Sequence, residues 1–246
     1  MLTQAEIDAL LNGSSNLSSA DSNSNESDKL SDEEKDALGE IGNICMGSSA
    51  TALFKLLGQK VTITTPSVST LKWEQMKNEY KNSYVAVKVE YIHGLIGTNV
   101  LILKENDVKI MADLMMGGDG HNIQEDLNEM HLSAISEAMN QMIGSAATSM
   151  STVFNKRIDI SPPTSFVASF ENERVFENVD NDQLFVRISF KLIVGDLIDS
   201  EIMQIIPLDF AKEMVSNLMH SENVSESVSE SEIKSSIQNT GNFDSN

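Results

Sequence analysis

The sequence repeats itself at residues 39–66, which read GEIGNICMGSSATALFKLLGQKVTITTP, and at residues 136–163, which read SEAMNQMIGSAATSMSTVFNKRIDISPP. The second copy lies 97 residues after the first, and eight of the 28 aligned positions are identical without a gap. The identical pairs are Glu40/Glu137, Asn43/Asn140, Gly47/Gly144, Ser48/Ser145, Ala50/Ala147, Thr51/Thr148, Ile63/Ile160 and Pro66/Pro163. Self-similarity at a fixed offset indicates a duplicated structural unit. The repeat therefore predicts a domain with internal pseudo-twofold symmetry.

The elements around each copy also repeat. Each copy has a long helical pattern (31–57 and 126–154) and a short strand before the proline (61–65 and 157–161). Apolar alternation then predicts two hairpins, Tyr84–His93 with Thr98–Lys104 and Leu184–Val194 with Ser200–Ile206. A shorter helix ends each copy, at 105–116 and 208–219, and Ser31 with Glu34 forms a capping box before the first long helix. These patterns predict an α/β fold in which two αβ repeats form a mostly antiparallel sheet packed with long helices.

The composition changes near both ends of the chain. From Asn12 to Ser27, eleven of sixteen residues are Ser or Asn, and residues 221–246 are again rich in Ser, Glu and Asn. Such segments bury too little apolar surface to offset their ordering entropy. We expect a helix at 1–13, a flexible linker at 14–30, a folded domain at 31–220 and a disordered acidic tail at 221–246. The repeats within the domain are expected at about 31–120 and 126–220.

The overall composition excludes several classes of function. The 246 residues carry 17 Lys and Arg against 37 Asp and Glu, a formal net charge of −20. This charge argues against nucleic acid as a main partner and disfavours an anionic membrane surface. No apolar run approaches the roughly 20 residues of a membrane helix, and the N-terminus lacks a signal-peptide layout. The single cysteine, Cys45, cannot form an internal disulfide. We expect a soluble, cytoplasmic protein with Cys45 as a buried thiol.

The first eleven residues, MLTQAEIDALL, differ from the linker that follows them. Thr3 and Glu6 have the spacing of a capping box, and Ile7, Leu10 and Leu11 lie on one helical face. A helix this short is marginal in water by itself. It either folds in the groove of a partner or packs back on its own domain, and the residues favour neither alternative.

The repeated polar residues share one face of each long helix. Glu40 and Asn43 are three positions apart, with Asp36 one turn earlier, and Ser133 is its counterpart before Glu137 and Asn140. The apolar positions lie elsewhere around the helix, so the polar face is expected to point outward. The alternative is that this polar face is an ordinary solvent-exposed surface without a function. The small residues beyond it (Gly47, Ala50 and Thr51, and their counterparts) allow another backbone or a neighbouring helix to come close.

The chemistry open to these groups is narrow. An Asn carboxamide can orient a water molecule but cannot deprotonate it well, and phosphoryl hydrolysis depends mainly on such positioning. Glu could act as a base or as an ionic anchor for a substrate lysine. The histidines (His93, His121, His131 and His220) are scattered, so the sequence predicts no metal site.

The pattern [Asp/Ser]-x3-Glu-x2-Asn-x22-Pro resembles the signature of the CheC-type chemotaxis phosphatases. This chain contains the pattern twice, as Asp36, Glu40, Asn43 and Pro66 and again as Ser133, Glu137, Asn140 and Pro163. The resemblance spans roughly residues 31–220. The first eleven residues, which we call the leader, resemble the peptide with which flagellar switch proteins capture phosphorylated CheY. This resemblance implies that the leader binds the same partner through Leu2, Gln4, Ile7, Leu10 and Leu11.

The resemblance implies a phosphatase acting on the aspartyl phosphate of CheY, a small α/β receiver that brings its own Mg²⁺. Asn43 and Asn140 would each align the attacking water, Glu40 and Glu137 would pair with a receiver lysine, and Asp36 and Ser133 would support the helix face. Flagellar switch proteins and the deamidase CheD are further implied partners. The resemblance also implies that this protein acts at the cytoplasmic face of the flagellar basal body. The alternative is a non-catalytic binding module, or a component of the flagellar switch, that captures phosphorylated CheY without hydrolysing it. Similar switch proteins continue into a ring-forming domain, and the tail here looks like the linker to such a domain.

Overall fold

A computed structural model describes residues 29–64, 66–79, 84–121, 123, 126–168, 176 and 179–219. The predicted leader helix at 1–13, the linker up to residue 28 and the tail at 221–246 lie outside these ranges. Leu30, at the end of the predicted linker, is 4% exposed, and its apolar side chain packs into the main core. None of the helices in the described ranges combines the length and apolar character needed to cross a bilayer.

The described part of the chain contains five helices and eight strands. The helices are α1 (Asp32–Leu57), α2 (Trp73–Glu79), α3 (Glu105–Met115), α4 (Glu129–Val153) and α5 (208–219). The strands are β1 (Val61–Ile63), β2 (Ser67–Lys72), β3 (Tyr84–His93), β4 (Gly97–Lys104), β5 (Asp159–Ile160), β6 (Thr164–Ala168), β7 (Leu184–Val194) and β8 (Ile198–Pro207). The predicted long helices, hairpins and closing helices are confirmed, with boundaries that differ by up to three residues. The short strands β2 and β6 and the helix α2 were not predicted.

Local hydrogen bonds fix the ends of the two long helices. The predicted capping box of α1 is confirmed, since the Glu34 N–H donates to Ser31 Oγ at 3.1 Å and the Ser31 N–H donates to Glu34 Oε2 at 2.8 Å. Helix α4 starts with an equivalent box in which the Asn128 N–H donates to His131 Nδ1 at 3.2 Å. The helix α1 ends at Gly58, whose φ of 63° favours glycine. Asn155 is the counterpart of Gly58 in the second repeat and also has a positive φ, 48°.

The two repeats exchange strands within one antiparallel sheet. The sheet order is β1-β7-β8-β4-β3-β5, with β2 also paired to β7 and β6 also paired to β3. The two hairpins meet in the centre, where β4 pairs with β8. The short strands of the first repeat thus extend the hairpin of the second repeat, and the short strands of the second extend the hairpin of the first. This exchange joins the two halves into a single sheet.

The two repeated prolines lie between the short strands at the sheet margins. Pro66 separates β1 from β2, and Pro163 separates β5 from β6. Proline has no backbone N–H for a ladder hydrogen bond, so it is confined to edges and interruptions of a sheet. The prolines therefore break each margin into two short strands.

Each face of the sheet has its own core. The main core lies between the sheet and the long helices, and its members include Leu38, Leu53, Leu101 and Phe190. The smaller core lies on the opposite face, where the Trp73 ring of α2 packs against Phe185 with the ring centroids 5.4 Å apart. Alternate residues of the central strands supply the two cores, as the twofold side-chain period of a strand requires. The long helices thereby keep one side against the sheet and leave the other to solvent.

Candidate functional site

The repeated polar residues lie on the solvent-facing side of α1 and α4. Asp36, Glu40 and Asn43 are all exposed on α1, between the buried positions of the same helix. On α4, Ser133 and Glu137 are exposed and Asn140 is half-buried. The predicted outward orientation of the two Glu/Asn pairs is confirmed. The structure places the two sets on separate helices, α1 and α4, that pack side by side.

The second repeat gathers its four signature residues around one open cavity of about 580 Å³, which we call the proline groove. Its lining consists of Glu129, Leu132, Ser133, Ser136, Glu137, Asn140, Pro162, Pro163, Thr164 and Ser165. Strand β6 is held against α4 because Ser136 Oγ donates to Ser165 Oγ at 2.7 Å and Ser165 Oγ donates to the Leu132 carbonyl at 2.7 Å. These bonds keep Pro163 opposite the helix, so a group placed in this groove reaches both Glu137 and Asn140.

In the first repeat the equivalent proline packs closely against the helix. A Cβ atom at Gly42 would lie 3.5 Å from Pro66 Cγ and 3.0 Å from Phe190 Cζ. Gly42 directly precedes Asn43, so the absence of a side chain there lets the β1–β2 margin approach α1 beside the signature Asn. Met139 occupies the equivalent position in the second repeat. Pro66 and Pro163 thus both border their helix near the Asn, with different contacts.

A second cavity of about 520 Å³ also reaches Asn140, and we call it the lysine groove. Its lining consists of Ala52, Lys55, Leu56, Asn140, Gln141, Gly144, Ser145, Thr148 and Ile160. It runs between the C-terminal half of α1 and the middle of α4. Asn140 lines both grooves and therefore stands between the proline groove and the lysine groove.

The glutamate of the second repeat has a hydrogen-bond partner on its own helix. Gln141 Nε2 donates to Glu137 Oε1 at 2.8 Å, an i, i+4 contact. The counterpart of Gln141 in the first repeat is Ile44, which cannot donate and is 38% exposed. Sequence reasoning overlooked Gln141 and Lys55 because it compared only the identical positions of the repeat. A comparison of the positions at which the two copies differ, near the shared Glu and Asn, could have revealed them.

The repeated small residues do not all serve helix packing. Hydrogen bonds between α1 and α4 are made by the serines: Ser48 Oγ lies 2.8 Å from Ser149 Oγ, and Ser49 Oγ donates to the Met142 carbonyl at 3.0 Å. A Cβ atom at Gly47 or Gly144 would have no neighbouring atom within 4 Å. Close helix packing is therefore the wrong explanation for these two glycines. Both lie on the outer side of their helix, one turn beyond Asn43 and Asn140.

The remaining reactive groups contribute little to these faces. Cys45 is 5% exposed, and burial raises the pKa of its thiol to about 12, so the expectation of a buried thiol is confirmed. His131 acts in the helix cap described above. Within the described residues, no three His, Cys, Asp or Glu side chains gather as a metal site would require. The predicted leader contacts at Leu2, Gln4, Ile7, Leu10 and Leu11 fall outside the described part of the chain.

Comparison with known proteins defines the class. The CheC-like family matches residues 33–70 and 130–167, two segments that are again 97 residues apart and that contain both sets of signature residues. The chain belongs to this CheC-like family. It is 52% identical over 225 residues to the flagellar motor switch phosphatase FliY of Bacillus subtilis (strain 168), covering 92% of this chain and 59% of that protein.

Two further relatives support the same assignment. The X-ray structure of Thermotoga maritima FliY matches with a TM-score of 0.73 and 42% identity, over 78% of this chain and 98% of that one. The CheY-P phosphatase CheC of Bacillus subtilis (strain 168) is 27% identical over 139 residues, which is 54% of this chain and 66% of that protein. The chain thus spans about three fifths of the length of the Bacillus FliY relative. The predicted fold class, a CheC-like domain of two αβ repeats, is confirmed.

Proposed function

We propose that this protein hydrolyses the aspartyl phosphate of a CheY-type response regulator in chemotaxis. The observation that carries the proposal is the pair of outward Glu/Asn sets in identical register, with Asn140 lining a groove large enough to admit part of a partner. The names of the FliY and CheC relatives, a motor switch phosphatase and a CheY-P phosphatase, support the same reaction. The relationship to FliY also supports action close to the flagellar motor switch.

Each Asn would contribute by positioning a water molecule. The carboxamide offers one acceptor and two donors, so it can hold a water in line with the bond between phosphorus and the aspartyl oxygen. The water oxygen attacks phosphorus, that bond breaks, and the aspartate leaves as a carboxylate. The proton released by the water passes to the phosphate or to solvent. Mg²⁺ belongs to the receiver, where it balances the phosphoryl charge, so this chain would supply Asn43 or Asn140 and no metal ligand.

Each Glu would fix the receiver on the helix face. Glu40 and Glu137 lie one turn before their Asn and are exposed, so they can pair with a lysine on the approaching surface. Asp36 and Ser133 lie a further turn away on the same side. Their proposed task is to support docking at the margin of the contact. The mechanism therefore divides affinity, assigned to the Glu residues, from the chemical step, assigned to the Asn residues.

The decisive experiment measures the decay of phosphorylated CheY with this protein at substoichiometric concentration. The double variant Asn43→Ala/Asn140→Ala should lose activity by about 100-fold, the order expected when a positioned hydrogen-bonding group is removed from a transition state. Asn78→Ala, an exposed Asn on α2 at the opposite face of the sheet, is the matched control and should keep full activity. Normal hydrolysis by the double variant would overturn the role of the two Asn residues. Binding without acceleration by the native protein would make it a capture module.

The leader is assigned a separate role, the capture of phosphorylated receiver by Leu2, Gln4, Ile7, Leu10 and Leu11. Replacing Ile7 with Asp places a charge in the apolar face predicted from the sequence and should weaken binding about tenfold or more, because a buried Ile side chain contributes roughly 1.5–3 kcal/mol. Ala9→Asp adds the same charge on the opposite predicted face and should leave the affinity unchanged. Equal effects of both substitutions in a binding titration would exclude this role.

A further inference from the structure

The two sites differ in the charged residues that surround the shared Asn. We propose that the second site is a docking surface with paired charges, on which Lys55 from the first repeat contacts an acidic group of the phosphorylated receiver, and that this contact makes the second site the stronger of the two. The inference rests on the proposed function and adds to it a residue outside the signature.

The placement of Lys55 follows from the packing of the two long helices. Lys55 is in the last turn of α1, twelve residues beyond Asn43, which corresponds to roughly 18 Å along a helix. The same packing brings it to the lysine groove, where it shares the lining with Asn140 and Gln141. Lys55 is thus far from the Asn of its own repeat and adjacent to the groove of the other.

The charges on either side of Asn140 have opposite signs. Glu129 and Glu137 line the proline groove, and Lys55 lines the lysine groove. Lys55 is exposed and forms no ion pair with another described residue, so its charge is available to a partner. A surface with one negative and one positive side binds a partner with the complementary pattern in a single orientation.

A phosphorylated receiver fits this pattern. Its phosphoaspartate carries up to two negative charges and is surrounded by the carboxylates that hold its Mg²⁺. When such a site is presented to Asn140, its acidic rim comes close to Lys55 while a basic residue of the partner can reach Glu137. Gln141, which lines the lysine groove, donates to Glu137 Oε1 and so restrains the Glu137 carboxylate on the outer face of α4.

The first site lacks both features. The counterpart of Lys55 is Thr152, whose hydroxyl donates to the Thr148 carbonyl of its own helix at 3.3 Å. The counterpart of Gln141 is Ile44, which leaves Glu40 without that donor. The duplicated signature is therefore complete at both sites, whereas the charge pair is built only at the second.

Steady-state kinetics in single-site backgrounds test the inference. Asn43→Ala leaves the second site, and Asn140→Ala leaves the first. Adding Lys55→Gln to the Asn43→Ala protein should raise KM for phosphorylated receiver about 2- to 5-fold at low ionic strength with kcat unchanged, the range for one exposed ion pair. The same addition should reduce the dependence of KM on salt, a change that a purely structural role would not produce.

Two matched variants complete the design. Lys55→Gln in the Asn140→Ala background removes the same charge and should leave KM unchanged, whereas Thr152→Lys in that background should lower KM by installing the missing cation. The inference would be overturned if Lys55→Gln left KM at the second site unchanged or raised KM equally at both sites. A higher kcat/KM at the first site than at the second would also overturn it. If the native protein hydrolyses nothing, the proposed function fails, and the same comparison of Kd by titration still decides whether Lys55 binds the receiver.

Discussion

At the residue scale, burial separates the groups that can react from the groups that cannot. Asn43 and Glu40 are open to solvent, whereas Cys45, two positions further along the same helix, faces the core. The periodicity of α1 is sufficient to predict this difference, because residues two apart on a helix point in different directions. The sequence could not supply the depth of burial, which depends on the sheet beneath the helix.

The buried thiol of Cys45 gives a direct prediction. Only a thiolate reacts quickly with disulfide reagents, and a pKa of about 12 leaves on the order of one thiol in 10⁴ ionised at pH 8. The native protein should therefore react far more slowly with dithionitrobenzoate than the protein unfolded in guanidinium, which should release one equivalent of thionitrobenzoate. Rapid native labelling would show that Cys45 is accessible and that its helix face is misplaced.

A buried carboxyl at the start of α3 predicts a pH-dependent stability. Asp107 is 7% exposed, and burial raises the pKa of its carboxyl above the ordinary value of 3.8. Its Oδ2 atom has no hydrogen-bond partner in the described part of the chain. The folded state therefore binds the proton more tightly than the unfolded state does. The stability that results is present at low pH and is lost as the pH rises through the folded pKa.

Replacement of Asp107 by Asn removes this titration. The unfolding free energy of Asp107→Asn relative to the native protein should increase between pH 4 and pH 7, as measured by urea unfolding at each pH. The exposed Asp119→Asn is the control for the removal of one carboxylate. A difference that stays constant with pH would contradict the proposed burial of charge at Asp107.

At the element scale, the strongest apolar patterns were predictable and the margins of the sheet were not. The hairpin strands β3 and β7 are ten and eleven residues long and alternate along most of their length, so their pattern identifies them without tertiary information. Strands β2 and β6 are half-buried edge strands with little alternation, and their pairing to β7 and β3 is a long-range contact. Helix α2 has only seven residues and depends on Trp73 packing against Phe185, which no local pattern reveals.

Two glycines of α1 should respond in opposite ways to substitution. A Cβ atom at Gly42 would lie 3.0 Å from the ring of Phe190, which is fully buried, whereas one at Gly39 would meet nothing within 4 Å. Gly42→Leu should destabilise the protein by about 1–3 kcal/mol through overpacking. Gly39→Ala should stabilise it by about 0.5–1 kcal/mol through the lower backbone entropy of the unfolded chain. Denaturant midpoints that shift in the same direction for both would contradict the close approach of β7 to α1.

At the scale of the whole molecule, the repeat predicted the symmetry but not the exchange of strands. Two copies of the repeat with an offset of 97 could form two separate folding units or a single shared sheet. Sequence similarity does not distinguish these arrangements, because it does not reveal which strand edges pair. The same limit applies to the site. The signature residues and their outward face followed from the helix period, whereas the proline groove needs β6, and the lysine groove needs the end of α1 beside the middle of α4.

The shared sheet predicts that neither repeat folds alone. Without the second repeat, residues 29–121 would lose the partner β7 from β1 and β2 and the partner β8 from β4, and the apolar side of α1 would lose α4. Residues 126–219 would lose β3 and β4 in the same way. Each fragment, expressed separately, should lack a cooperative unfolding transition and should bind a dye that reports exposed apolar surface.

An equimolar mixture of the two fragments should recover the circular dichroism of residues 29–219 and sediment as a 1:1 complex, since each fragment completes the sheet of the other. Residues 29–219 as one chain provide the reference for the recovered signal. Each fragment alone, at the same total concentration, tests whether the pseudo-symmetry permits a homodimer. The homodimer should fail to form, because the buried counterparts Gly42 and Met139 differ greatly in size, so the two halves no longer pack interchangeably. A fragment that unfolds cooperatively as a monomer would show instead that each repeat is an independent domain, with its short strands paired within its own half.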